Sequence, residues 1–147
     1  MKRILSLLIL LFAINICLNA QVVKKNYKLT WVVNLAQYSV DERAAAKDAK
    51  ILSQTGSSYE FDKKSLIFTI WLDNNSDPTT FTVKSIEKAE EDQKLYVCTN
   101  QRSNSKALIS ISNGNKPSDN FLMLMMPDSG VVFFLTDSKY LSSLLGL

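Results

Sequence analysis

From Tyr59 onward the chain keeps one rhythm, a short run of β-favouring residues followed by a polar break. The runs are Tyr59 to Phe61, Ser65 to Leu72, Thr79 to Glu87, Lys94 to Thr99, Lys106 to Ser112, Asn120 to Met126 and Val131 to Thr136. The breaks, such as Asp73 to Pro78 and Pro127-Asp128-Ser129-Gly130, are rich in Asn, Asp, Ser, Gly and Pro, which accept turn dihedrals or bond their own backbone. Connections this short make neighbouring strands antiparallel, because a parallel crossover needs a dozen or more residues. Leu29 to Leu35 adds a strand with Leu29, Trp31, Val33 and Leu35 at period two. The fold class expected is mainly β: an antiparallel up-and-down meander of about eight strands, forming a barrel or strongly curved sheet.

Two helices are expected beside the strands. Ser39 and Glu42 make a capping box ahead of Ala44, Ala45, Ala46 and Ala49, which predicts a helix from Ser39 to Leu52 with Gly56 near its exit. A short C-terminal helix is expected with Asp137 or Ser138 as cap and Tyr140, Leu141, Leu144 and Leu145 on one face. Strands Phe121 to Met126 and Val131 to Leu135 are apolar on both faces, so each must be covered on two sides.

The start of the chain reads differently. Lys2 and Arg3 precede an apolar run from Ile4 to Leu18, and polarity rises from Asn19. This is the pattern of a secretory signal peptide over residues 1–20, with cleavage after Ala20, and the run is shorter than the roughly 20 residues of a spanning helix. Lipidation at Cys17 is the minor alternative, disfavoured by Ile16 before it. Residues 21–147 then form a single β domain, secreted or held in the periplasm or cell envelope, with no stable membrane span. Loss of Lys2 and Arg3 from the 17 basic residues brings them almost level with the 14 acidic ones. A near-neutral domain whose only basic cluster is Lys24, Lys25 and Lys28 is not expected to bind nucleic acid.

Chemistry is bounded by what is missing. The chain has no His and 2 Cys, so zinc sites, HExxH peptidases and Ser-His-Asp or Cys-His catalysis lack their parts. After signal cleavage Cys98 stands alone within Leu95-Tyr96-Val97-Cys98 and reads as a buried small hydrophobe. Asp73-Asn74-Asn75-Ser76-Asp77 begins with calcium-loop spacing, but Pro78 and Lys84 occupy the positions that require Gly and Glu, and a hairpin loop fits better. Ser85-Ile86-Glu87-Lys88 and Ser103-Asn104-Ser105-Lys106 match S-x-x-K without its companion motifs. Glu90-Glu91-Asp92 reads as a solvated turn rather than a catalytic acid pair. No enzyme activity, cofactor or metal is expected.

What remains is a dense set of large apolar side chains on strands. Trp31, Phe68, Trp71, Phe81, Tyr96, Phe121, Met123, Met125 and Phe133 are the candidate ligand-binding residues, with Phe61 and Phe134 beside them. Met and aromatic surfaces repack around apolar ligands, although core filling explains the same residues. A tryptophan in the first strand, the meander after it and a C-terminal helix together resemble a lipocalin-like, calycin-type small β-barrel. That resemblance implies an edge-free barrel around a small hydrophobic ligand, with Trp31 as a plug. The sequence departs from it at Leu29, where lipocalins carry Gly, and in lacking an Arg near the last strand; Lys139 is the nearest base. A helix between the first two strands resembles the lid position of fatty-acid-binding proteins. The function expected is an exported, non-enzymatic protein holding a small apolar ligand inside a β-barrel. The alternative is a protein-interaction module whose strands 120–135 dock a partner or a second copy.

Overall fold

The computed structural model describes residues 22–37, 44, 47–90 and 93–144. The segment expected as a signal peptide and half of the expected Ser39 to Leu52 helix lie outside them. Ten strands form one sheet: β1 (Val22–Tyr27), β2 (Leu29–Asn34), β3 (Lys50–Ser53), β4 (Ser57–Asp62), β5 (Ile67–Trp71), β6 (Thr79–Glu90), β7 (Gln93–Asn100), β8 (Lys106–Asn113), β9 (Asn120–Met126) and β10 (Val131–Thr136). Their order is β1-β4-β5-β6-β7-β8-β9-β10-β2-β3, and every pairing is antiparallel. Strands β4 to β10 are the expected meander.

The count of ten replaces the expected eight because β1 and β3 were not anticipated. Lys24, Lys25 and Asn26 mask the alternation of β1. Lys50, Ile51 and Leu52, expected in the last turn of a helix, instead pair with β2 as part of β3. Cross-strand partners override helix propensity there. Within the expected helix, the described backbone bond is Asp48 N–H to the Ala44 carbonyl, 3.3 Å. At the C-terminus a single helical turn, α1 (Leu141–Leu144), is present. No helix among the described residues is long and apolar enough to cross a membrane.

The order also explains the curl. β1 runs into β2 through Lys28 alone, and β3 into β4 through residues 54–56, so each edge strand is tied by a short link to the strand beside the opposite edge. The sheet therefore wraps round an interior, as in a small β-barrel. Gly56 sits at this corner with φ +97, and a Cβ on it would come within 2.8 Å of Asn74 Nδ2 and 3.0 Å of the Tyr27 carbonyl. Its role is this strand corner rather than the helix exit expected of it.

Two apolar clusters occupy the two faces. The inner one draws Tyr27, Tyr59, Phe61, Phe68, Ile70, Phe81, Val83, Tyr96, Cys98, Ala107, Ile109, Leu122, Leu124 and Leu135 from β1 and from β4 to β10. The outer one comprises Val33, Val132, Phe134 and Leu141, with Trp31, Phe121, Met123 and Met125 half-buried against it. Both faces of β10 are thus covered: Leu135 and Phe133 inside, Val132 and Phe134 outside, the last group under Leu141 of α1. Along the first two strands the inward face changes parity at Lys28, since Tyr27 joins the inner cluster while Trp31 and Val33 join the outer one. Thr30 is inward between them, and its hydroxyl donates to the Leu72 carbonyl at 2.7 Å.

Candidate functional site: an open cup at one end of the barrel

Filling of the interior is uneven along its axis. Phe61 and Phe68 stack at 4.2 Å between ring centroids, and Tyr96 meets them edge-on at 5.4 and 5.0 Å. Phe68 and Phe81 lie in the closed part of the core at 0% and 1% exposure, leaving no free surface for a ligand. Beyond the aromatic layer the walls diverge, and a cup of about 1220 Å³ opens at one end. Its apolar wall is Val23, Tyr59, Phe61, Tyr96 and Ile111. Its rim is polar, formed by Lys63, Gln93, Lys94, Ser112, Asn113, Gly114, Asn115 and Asp119. A cup with an apolar wall and a polar rim offers both kinds of surface to a small amphipathic molecule.

Strand periodicity positions these groups. On β4 the inward residues are Ser57, Tyr59 and Phe61, and Lys63 continues the series just past the strand. On β7 the inward series runs back from Cys98 through Tyr96 to Lys94. Asn113 and Asn120 close the β8–β9 connection, where the Lys25 ammonium from β1 donates to Asn113 Oδ1 at 2.7 Å and also to Asn120 Oδ1. Turns hold the rim: the Asp62 carboxylate accepts the Lys64 N–H at 2.9 Å and the Ser65 hydroxyl at 2.7 Å. These bonds hold its carboxyl below the ordinary carboxylate range.

Burial shapes the electrostatics of the interior. Desolvation lowers the Lys25 pKa, against the raising pull of Asp137. Desolvation raises Tyr59 and Tyr96, reinforced by the Tyr96 and Cys98 neighbours respectively. Tyr27 is raised most, and among the described residues its buried hydroxyl has no hydrogen-bond partner. Cys98 is pushed up to about 12 by burial, which leaves it a thiol at neutral pH and a packing residue.

The nine expected binding residues do not converge. Tyr96 lines the cup; Phe68, Phe81 and Phe133 belong to the inner core beneath it. Trp31, Phe121, Met123 and Met125 lie on the outer cluster. Trp31 is therefore no plug, and its indole N–H donates to the Ser138 carbonyl at 3.3 Å. Trp71 is also outside, with the Lys24 ammonium 5.9 Å from its ring centroid and Lys24 paired to Glu60 at 2.8 Å. Residues missed as lining include Val23, Tyr59, Lys63, Lys94, Ile111 and Asn113. The signal for Lys63 and Lys94 was period two itself, since each stands two residues beyond an inward aromatic.

Of the other motifs, Ser85 to Lys88 lies within β6, and the calcium-like run is a loop. Asp73 accepts the Asn75 N–H at 2.8 Å and the Thr55 hydroxyl at 2.9 Å, so its carboxylate serves the loop. Among the described residues no group of three or more acidic or Cys side chains is placed to hold a metal. Glu91 and Asp92 of the acidic run lie outside the described residues. Compared with known proteins, the chain finds no counterpart: no family model matches it, and neither a curated protein nor a solved structure does so.

Proposed function

We propose that this chain is an exported, non-enzymatic binding protein that holds a small amphipathic molecule in the cup. The observation that carries this reading is the cup itself, about 1220 Å³ with Val23, Tyr59, Phe61, Tyr96 and Ile111 as its wall. Val23 and Ile111 are the half-buried members of this wall, and covering their remaining apolar surface with a ligand is favourable, at roughly 25 cal/mol per Å². Export rests on the sequence of residues 1–20, with basic Lys2 and Arg3 before the apolar run. The expected site is thereby moved, from a set spread over both faces to the inner wall at one end.

Titration with Nile red, a neutral apolar dye, tests the reading. Saturable binding is expected for the wild-type domain. Ile111→Glu, which puts a charge on the half-buried apolar wall, is expected to weaken it at least severalfold while the domain stays folded in urea titration. Absence of saturable binding in the wild type would remove the reading.

A second reading is favoured by the half-buried Trp31, Phe121, Met123 and Met125 on the outer face, namely docking of a partner or a second copy over strands 120–135. It expects self-association by light scattering that Met123→Glu weakens. A monodisperse monomer with no partner for this face contradicts it.

A further inference from the structure

We infer that the cup takes an acid-bearing amphiphile, with the ligand's apolar chain against the aromatic wall and its anionic group at the mouth beside Lys63 and Lys94. This rests on the cup being a ligand site, and it specifies the charge of what enters. Among inward-facing strand positions with described side chains most are apolar or neutral, yet Lys25 and Lys94 carry charge, as does Lys63 just past β4. Among strand residues with described side chains, acidic groups point outward instead. Glu60 pairs with Lys24, Asp62 stands opposite Val22 and Ile67, and Glu87 stands opposite Leu95.

The cations come from β1, the turn after β4, and β7. Lys63 and Lys94 line the cup directly, and Lys25 lies behind Asn113, held by the neutral amide oxygens of Asn113 and Asn120. Among the described lining residues the acid is Asp119, whose Oδ1 accepts the Ser118 hydroxyl at 3.0 Å. Among the described lining residues two ammonium groups thus face one carboxylate. A wall of low dielectric beneath exposed cations strengthens their field on a bound anion relative to open water. Charge-assisted hydrogen bonds from ammonium to an anionic oxygen are stronger than neutral ones. An alkylammonium of the same length meets repulsion at the same place.

The experiment is a matched series on the mature domain at low ionic strength: decanoate, decanol and decyltrimethylammonium, each competing with Nile red below its aggregation concentration. Decanoate is expected to bind about tenfold more tightly than decanol, with the cation weakest, and added salt is expected to narrow the gap. Lys63→Gln and Lys94→Gln alter exposed side chains, so the fold is retained. Together they are expected to bring decanoate to the decanol affinity and leave decanol unchanged. Equal affinity of decanoate and decanol in the wild type, or a decanoate preference that survives both substitutions, overturns the inference and leaves the cup as a ligand site. Failure of all three, and of Nile red, instead removes the underlying reading.

Discussion

The two faces of the curled sheet are both rich in apolar residues, yet they are finished differently. Inside, Phe68, Ile109, Leu122 and Leu135 are at 0% exposure, and rings stack in depth. Outside, Val33, Val132 and Phe134 are buried under Leu141, while Trp31, Phe121, Met123 and Met125 are only half covered. The inner face is a core that ends in a cup; the outer face is a shallower layer roofed by a turn of helix. Apolar residues on both sides of a strand therefore say that two covers exist. They do not say which side keeps a space for a ligand.

Substitutions on the two faces give this difference a size. Phe81→Ala removes an inner ring with no room for its neighbours to collapse fully, and a loss of about 3–5 kcal/mol in urea unfolding is expected. A loss below about 1 kcal/mol would mean that the interior is not close-packed at this depth.

Alkaline pH separates the faces next. Cys98 is inward, with its pKa raised from 9.0 to about 12 by burial. A thiol that ionises more easily in the unfolded chain stabilises the fold fully below pH 9.0, and this contribution is lost progressively as pH rises from 9.0 toward 12. The buried Tyr27, Tyr59 and Tyr96 act with the same sign from their ordinary value of 10.0 upward. The urea midpoint of the wild type is expected to start falling near pH 9, whereas Cys98→Ala shifts the onset toward pH 10. Superimposable profiles would show that Cys98 is accessible in the folded state.

Smaller effects belong to the rim of the outer face. Gly130 has φ +66, and a Cβ there would meet Ala36 Cβ at 2.7 Å, so Gly130→Ala is expected to cost about 1–2 kcal/mol of stability. Met123→Ala on the outer face is expected to cost about 1 kcal/mol, well short of Phe81→Ala, because the side chain is only half-buried. Equal losses at Met123 and Phe81 would erase the distinction between the two layers.

Much of the fold was legible because turn chemistry and period two are local. Runs from Tyr59 to Thr136 became β4 to β10, with ends set by residues such as Asp62, Asn100 and Gly130. What escaped was non-local. Lys50 to Leu52 became strand through pairing with β2, and β1 became visible only through its register with β4. The site was less legible than the fold. Aromatic content drew attention to Trp31, Trp71 and Met123, but facing depends on the parity change at Lys28 and on register across strands distant in sequence. Lys63 and Lys94, read singly, look like ordinary turn and strand-end charges. The curl of the sheet is what brings them to one mouth.

Methyl NMR during a Nile red titration tests the central claim most directly, because it reads both faces in one sample. Val23 and Ile111 line the cup, whereas Met123 and Met125 lie on the outer cluster. The account predicts saturable shifts of the Val23 and Ile111 methyls with the Met123 and Met125 methyls unmoved. Shifts confined to Met123 and Met125, or none at any of the four, would contradict it.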